Sequence, residues 1–366
     1  MECLFNKSYK NKTVLVTGHT GFKGSWLCYW LIKMGANVIG YSRDVPTIPN
    51  HVSLLDLDMT SIIGDVGNLE QLNHTFQTHK PDIVFHLAAQ SLVKFSYENP
   101  IETYMTNVIG TLKVFEACRN VNVKAVVNVT SDKSYENKEW VWGYRENDPM
   151  GGYDPYSASK GCADLLTNSY RSSYFNTLYY KKRHNTLLAS CRAGNVIGGG
   201  DWAENRLLVD TMIAASRHEK VIIRNPNATR PWQHVLEPLS GYLLVGQKLL
   251  EEKTEYADAW NFGPSDEENM TVEKVVANMK KYWSKVDYAV NENREQSHEA
   301  NLLKLDCSKA HALLGWSDVW DSRTTFEKTA KWYKAYYEEN SITLTRKDLD
   351  SYVIDARKKG LVWTRN

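Results

Sequence analysis

Thr13-Val14-Leu15-Val16-Thr17-Gly18-His19-Thr20-Gly21-Phe22-Lys23-Gly24 decides the fold. A β-branched run stops at Thr17-Gly18, glycines recur at every third position, and Ser25 to Lys33 then carries apolar residues at helical spacing. The order is strand, glycine turn, helix. Glycines in such a turn let the backbone close tightly against a pyrophosphate, and the helix N-terminus adds N–H donors and a favourable dipole. Thr17, Gly18, Gly21, Phe22, Lys23 and Gly24 are therefore assigned to a dinucleotide site. Lys23 has two readings here, a solvated side chain at the helix start or a phosphate contact.

Working outward, a second strand is predicted at Asn37–Tyr41, and further strands at Ile83–Leu87, Ala125–Val129 and Leu187–Cys191. Helical patterns lie between them at about 68–79, 99–119 and 156–175. Continuously apolar strands alternating with helices indicate a parallel sheet covered on both faces. The fold class is α/β, a Rossmann-type doubly wound parallel sheet with a smaller C-terminal substrate lobe. Residues 1–190 are read as the dinucleotide-binding domain. Residues 191–366 are read as mainly the substrate lobe, with some segments returning to the first domain and helices near 237–252, 272–282, 308–314 and 324–339.

The 366 residues hold 44 Lys plus Arg against 43 Asp plus Glu, a formal charge of +1. No global field draws in nucleic acid or an anionic membrane. Met1 to Lys12 has no signal-peptide core, and no apolar run reaches the length of a spanning helix. The expectation is a cytoplasmic protein. Six cysteines, Cys3, Cys28, Cys118, Cys162, Cys191 and Cys307, show no CxxC spacing, which argues against a disulfide framework or a zinc site. No metal is expected. The 12 Trp and 21 Tyr suit a large core and stacking surfaces.

The second strand ends in Tyr41-Ser42-Arg43-Asp44. An acid there would hold an adenine ribose 2′-hydroxyl, whereas Arg43 could accept a 2′-phosphate, so this stretch leaves NAD and NADP open. Ser42 and Arg43 are placed on the cofactor side, with Asp65 and Val66 at the adenine edge or in a plain polar turn. Leu87, Ala88 and Ala89 are assigned to the cofactor side, at a strand end whose alanines leave room where bulk would block a cofactor, and Asn107 joins this set. Gln90 is assigned to the substrate side.

Thr130-Ser131-Asp132-Lys133 closes the strand ending at Val129, on the carboxyl edge where open α/β sheets place ligands. Downstream, Asp154-Pro155-Tyr156-Ser157-Ala158-Ser159-Lys160 puts Tyr156 and Lys160 one helical turn apart on one face. A phenol has an ordinary pKa of about 10, and an adjacent ammonium favours its phenolate. Ser131, Tyr156 and Lys160 suffice for alcohol oxidation. Asp132 and Lys133 add an acid and a candidate base for proton chemistry on a neighbouring carbon. Strand alternation would send these two to opposite faces, so both reach a substrate only if the chain has left the sheet by then.

With these stretches go Trp140-Val141-Trp142-Gly143-Tyr144-Arg145-Glu146-Asn147, Arg192-Ala193-Gly194-Asn195-Val196-Ile197-Gly198-Gly199-Gly200-Asp201-Trp202 and Arg230-Pro231-Trp232-Gln233-His234-Val235. From about Lys12 to Trp332 the chain resembles the extended short-chain dehydrogenases/reductases, and within them the CDP-glucose 4,6-dehydratases. Other nucleotide-sugar dehydratases usually carry Asp-Glu where Asp132-Lys133 stands. The resemblance implies a lyase of deoxysugar (O-antigen) biosynthesis that uses NAD and takes CDP-glucose to its 4-keto-6-deoxy derivative without net redox. Tyr156 takes the O4 proton, Asp132 protonates the departing C6 hydroxyl, and Lys133 is the candidate either for the C5 base or for stabilising the enolate. It further implies substrate contacts from Asn195, Arg206, Arg230, Trp232 and Asn261, with the arginines on the diphosphate and Trp232 or Trp202 either stacking on the base or filling core. His298 and Glu299 resemble a late substrate-lobe loop and are left out of catalysis. A homodimer, or a tetramer, is implied through helices 99–119 and 156–175. Two other readings share these residues: a nucleotide-sugar 4-epimerase, which does not need Asp132-Lys133, and a silent NAD-binding sensor or scaffold.

Overall fold

The computed structural model describes residues 1–223, 225–264, 269–290 and 302–365. Its first half runs β1 (Thr13–Thr17), α1 (Phe22–Lys33), β2 (Asn37–Ser42), α2 (His51–Leu55), β3 (Thr60–Ile63), α3 (Leu69–His79), β4 (Ile83–His86), α4 (Val93–Glu98), α5 (Pro100–Tyr104), α6 (Thr111–Val121), β5 (Ala125–Val129), α7 (Pro155–Ser172) and β6 (Leu187–Ala193). Its second half runs β7 (Asn195–Ile197), α8 (Leu207–Ser216), β8 (Val221–Ile223), β9 (Thr229–His234), α9 (Leu236–Leu250), β10 (Ala259–Phe262), β11 (Asn269–Thr271), α10 (Val272–Tyr282), β12 (Tyr288–Val290), α11 (Ser322–Glu339) and α12 (Thr343–Lys358).

Seven parallel strands form the main sheet in the order β10-β6-β5-β4-β1-β2-β3. The order reverses between β1 and β4, which opens a crevice at their carboxyl ends where doubly wound sheets bind ligands. Strand residues alternate between two helical layers. Val14, Val16, Ile83, Phe85, Ala125, Val127, Leu187 and Ala189 join one core with α1 and α9. Leu15, Val84, Val126 and Leu188 join the other with α3 and α6. Buried faces on both sides explain why these strands read as uninterrupted apolar runs.

The second half both builds a lobe and returns to the sheet. β10 extends the sheet beside β6, and α9 packs beneath β5 and β6. A small sheet, β11-β9-β7, and a third core of Trp202, Met212, Trp232, Trp283, Phe326 and Trp332 make the lobe itself. Gly199, the middle of Gly198-Gly199-Gly200, serves this packing: a Cβ on it would lie 2.0 Å from the Trp332 ring, and its carbonyl accepts the Trp26 indole N–H at 2.9 Å.

The helix expected over 99–119 is three pieces, α5, a π-helical turn at Met105–Gly110, and α6. The wide turn carries Asn107, which is buried and bonds Gln90 and Ser159 across the layers. The segment at 308–314 is likewise a π-helical turn, Ala310–Leu314, closed by Gly315 at positive φ. α12 lay outside the sequence-based expectation because its buried side includes Thr345 and Asp348 as well as Leu349, Tyr352 and Val353, which blurs the apolar period.

Candidate active site

The glycine turn is a backbone cradle. Gly18 sits at φ +74°, and a Cβ there would lie 2.8 Å from the Ala88 nitrogen; one on Gly24 would lie 2.1 Å from the Gly18 carbonyl oxygen. Gly21 caps α1 without a side chain, so the first N–H groups of the helix face the crevice with their dipole. Thr17 Oγ1 meets His86 Nδ1 at 2.7 Å and accepts the Leu87 and Ala88 N–H groups, which draws β4's end against the turn. His19 bridges Ser42 at 2.8 Å and Ser61 at 2.7 Å, and burial lowers its pKa to about 4, so it is a neutral strut. Ser42 is buried and occupied by His19 and the Thr20 N–H. A cradle that any Cβ would fill, beside small Ala88 and Ala89, fits a dinucleotide.

Arg43 and Asp65 sit on the rim. The Arg43 guanidinium is held by Asp44 at 3.0 Å and Glu102 at 2.7 Å. Asp65 accepts the Gly67 N–H within its own turn at 2.6 Å, and Val66 is buried beside Gly110.

β5 ends at Val129, and Asp132–Ser134 is one 3₁₀ turn capped by Ser131, whose hydroxyl accepts the Lys133 N–H at 3.2 Å. The chain has thus left the sheet, and strand alternation no longer separates Asp132 from Lys133. Asp154 caps α7 by accepting the Ser157 N–H, with Pro155 at its first position. That cap delivers Tyr156 in the first turn and Lys160 in the next. Lys133 Nζ lies 5.9 Å from the centre of the Tyr156 ring, and Ser131 donates to Asp132 at 2.9 Å. A Cβ on Gly194 would lie 3.1 Å from Asp132 Oδ2, so the end of β6 passes close to the acid, and Asn195 follows as the first residue of β7.

The electrostatics follow from burial. Desolvation raises Asp132 above the ordinary carboxylate range, opposed by Lys133, Ser131 and Lys23. Tyr156 is pushed up to about 12 by burial, while the neighbouring Ser131 hydroxyl and the charge of Arg206 favour its phenolate. Burial lowers Lys160 to about 8, with Asp164 opposing, and its ammonium donates to the Val129 carbonyl at 3.3 Å. Ser131 and Arg206 are thus among the groups that favour the phenolate. Arg206 is fixed by Asp201 at 2.6 Å.

A family model described as GDP-mannose 4,6 dehydratase matches residues 15–331. The chain belongs to the GDP-mannose 4,6 dehydratase family of extended short-chain dehydrogenases/reductases. It is 51% identical over 349 residues to the CDP-glucose 4,6-dehydratase of Salmonella typhimurium, covering 94% of this chain and 97% of that one. Among solved structures it is similar to the epimerase Mth375 of Methanothermobacter thermautotrophicus, with TM-score 0.79 and 25% identity over 93% of this chain and 96% of the other. It also shares its fold with a dTDP-glucose 4,6-dehydratase of Bacillus anthracis solved with NAD, with TM-score 0.72 and 20% identity over 91% and 99% of the chains.

In this dehydratase-family chain, the remaining expected residues divide. Lys23 leaves the helix start toward Asp132, with Arg206 and Lys160 near, and burial lowers it to about 8. The Tyr242 hydroxyl, buried on α9 and close enough to feel Asp132 and Tyr156, has no partner among the described residues. Gln90 donates to Thr103 at 2.9 Å, and its N–H bonds Asn107. Arg230 lies in β9 opposite Met270; its side chain, like His298 and Glu299, lies outside the described residues.

Asn261 and Trp232 correct the substrate-side expectation. Asn261 is fully buried, accepts from Tyr135 at 2.8 Å and donates to the Tyr144 and Asp306 carbonyls at 2.8 and 3.2 Å, so its amide is spent inside the protein. Trp232 is buried in the lobe core, as is Trp202, whose indole N–H donates to Tyr337 at 3.0 Å. Sequence reasoning missed Asp164 and Arg192. Asp164 stands four residues past Lys160 on the same face of α7, a spacing that carried the signal.

Proposed function

We propose that this protein is an NAD-dependent CDP-glucose 4,6-dehydratase, a hydro-lyase converting CDP-glucose to CDP-4-dehydro-6-deoxyglucose and water. The observation that carries the reading is a buried Asp132 and a Lys133 in the same turn as Ser131, beside Tyr156. Oxidation alone needs Tyr156, Ser131 and Lys160; removal of a hydroxyl needs a proton donor, and burial shifts Asp132 in that direction. The relative that is 51% identical supports the cytidine nucleotide.

Bound NAD supplies the acceptor for the C4 hydride and the store from which it returns to C6. Thr17, the three glycines, Leu87, Ala88 and Ala89 would hold it, and Phe22 and Lys23 lie at the helix end that faces it. The two carboxylates gripping Arg43 would repel a 2′-phosphate, which favours NAD over NADP. Tyr156, acting as the phenolate that Ser131 and Arg206 favour, takes the O4 proton and becomes the neutral phenol. Lys133 removes the C5 proton, acidified by the 4-ketone, and Asp132 gives its proton to the departing C6 oxygen. Asn195 and Arg206 flank this chemistry from the substrate side, and residues 191–366 form most of that side.

The protein acts as a cytoplasmic homodimer in this proposal; no helix among the described residues is long and apolar enough to cross a membrane. Ile101, Met105 and Leu165 are exposed on the paired layer of α5, the π-helical turn and α7, an apolar face suited to a second copy. Light scattering at micromolar concentration should give twice the chain mass, and a monomer would remove the dimer. The function itself is tested by mass spectrometry of products from CDP-, UDP-, GDP- and dTDP-glucose with NAD. Loss of one water from CDP-glucose alone is expected; C4 epimers of unchanged mass would contradict the reading.

A further inference from the structure

Asp164 is a buried carboxylate that the mechanism above leaves unused. On one side it is gripped bidentately by Arg192, Nε to Oδ2 and Nη2 to Oδ1 at 3.1 Å each, with both side chains almost fully buried. On the other, its Oδ2 accepts the hydroxyl of Thr130 at 2.7 Å, and Thr130 directly precedes the turn of Ser131, Asp132 and Lys133. Arg192 spends its remaining arm on the Tyr135 hydroxyl at 2.6 Å and the Glu146 carbonyl at 3.0 Å, which fastens the far side of the same loop.

A buried ion pair is weak support for stability, because desolvating both charges offsets most of their attraction. What such a pair does well is fix geometry. We propose that Asp164 is a positioning residue for the dehydration, a carboxylate shared between Arg192 and Thr130 that sets where Ser131 and Asp132 stand and what charge Lys160 feels. This inference rests on the function proposed above for its catalytic readout. The groups around Lys160 are Asp164 on its own helix, Lys23 from α1 and His86 from β4. His86 is neutral, lowered to about 3 by burial, and Lys23 is a like charge, so the anion that offsets burial is Asp164. The groups facing Asp164 are Arg192, Lys160 and Arg171.

The test uses the full chain and three substitutions. Asp164→Asn removes the charge but leaves an acceptor for Thr130; Thr130→Val removes the hydrogen bond but leaves the charge; Asp164→Glu restores the charge one methylene longer. The first should lower kcat about tenfold with KM for CDP-glucose within twofold, and move the alkaline limb of the rate profile down by about one pH unit. The second should lower kcat without moving the limb, and the third should restore the limb position. Nuclear magnetic resonance titration of Lys160 in ¹³C-lysine-labelled protein should show the same fall of about one pH unit in Asp164→Asn. That readout needs no turnover, so it stands apart from failure of the proposed reaction. An unchanged Lys160 titration in Asp164→Asn, or a Thr130→Val enzyme with unaltered kcat, would overturn the proposal. Should Asp164→Asn fail to fold, Thr130→Val decides alone.

Discussion

Asp132 and Glu237 are both buried carboxyl groups held above their ordinary range by desolvation, and they belong to different kinds of site. Asp132 lies among groups with protons to exchange, the Ser131 hydroxyl, Lys133, Lys23 and Tyr156. Glu237, raised to about 8, lies on α9 among fixed donors: the N–H groups of Val319 and Trp320 at 2.9 Å each and the Tyr352 hydroxyl at 2.8 Å. It ties the chain entering α11, and α12, onto the helix beneath the sheet. A raised pKa reports burial in both cases. The mobility of the neighbouring protons, and the cleft they face, separates catalysis from construction.

Substitution should split the two sites cleanly. Tyr156→Phe and Asp132→Asn should each lower steady-state water loss by about 10²–10⁴-fold, with bound cofactor and Tm nearly unchanged by calorimetry. Glu237→Ala should do the reverse. It orphans two backbone donors and a phenol at about 1–3 kcal/mol each, so Tm should fall by several degrees while kcat of the folded enzyme stays within threefold. A Glu237→Ala enzyme with intact Tm and no turnover would break the comparison.

The pH dependence of stability sharpens it. Folded Glu237 keeps its proton to about pH 8, whereas the unfolded chain releases it near 4.5. Between those values the folded state binds the extra proton, so this group's contribution is full below the lower value and is lost as pH rises through the upper one. Glu237→Gln has no proton to lose. Wild-type Tm measured relative to Glu237→Gln should therefore decline from pH 5 to pH 8, and a flat difference would show that Glu237 is ionised throughout. The smallest expected effect is that of Trp232→Phe, which should cost about 1 kcal/mol from the lobe core and leave KM for CDP-glucose within twofold. A tenfold rise in KM would favour base stacking, the other of the two readings that the sequence leaves open for Trp232.

Local features of this molecule were legible and long-range ones were not. The strand, glycine turn and helix at Thr13–Lys33, and the Tyr156–Lys160 pair, depend on spacing within a few residues, and spacing is what a sequence displays. Whether Asp132 and Lys133 share a side depended on where β5 ends, which apolar alternation alone left open. Resemblance places Asn261 on the substrate side, yet β10 returns to the edge of the main sheet and buries it against Tyr135 and Tyr144. Trp232 and Gly199 likewise draw their meaning from α11, a hundred residues or more on, where Trp332 packs in the lobe core and fills the space that a Cβ on Gly199 would need. Lys23 reads in its motif as either a solvated side chain or a phosphate contact, and is found buried within reach of the Asp132 charge, because α1 begins in the same crevice where β5 ends.

The central claim is that Asp132 serves the loss of water and not the oxidation at C4. Single-turnover reaction of Asp132→Asn with CDP-glucose, following nicotinamide absorbance and water loss in the same samples, tests it directly. Reduced cofactor should accumulate at close to the wild-type rate while water loss stalls by at least a hundredfold. Equal slowing of both half-reactions would contradict the assignment and place Asp132 with Ser131 and Tyr156 in the oxidation step.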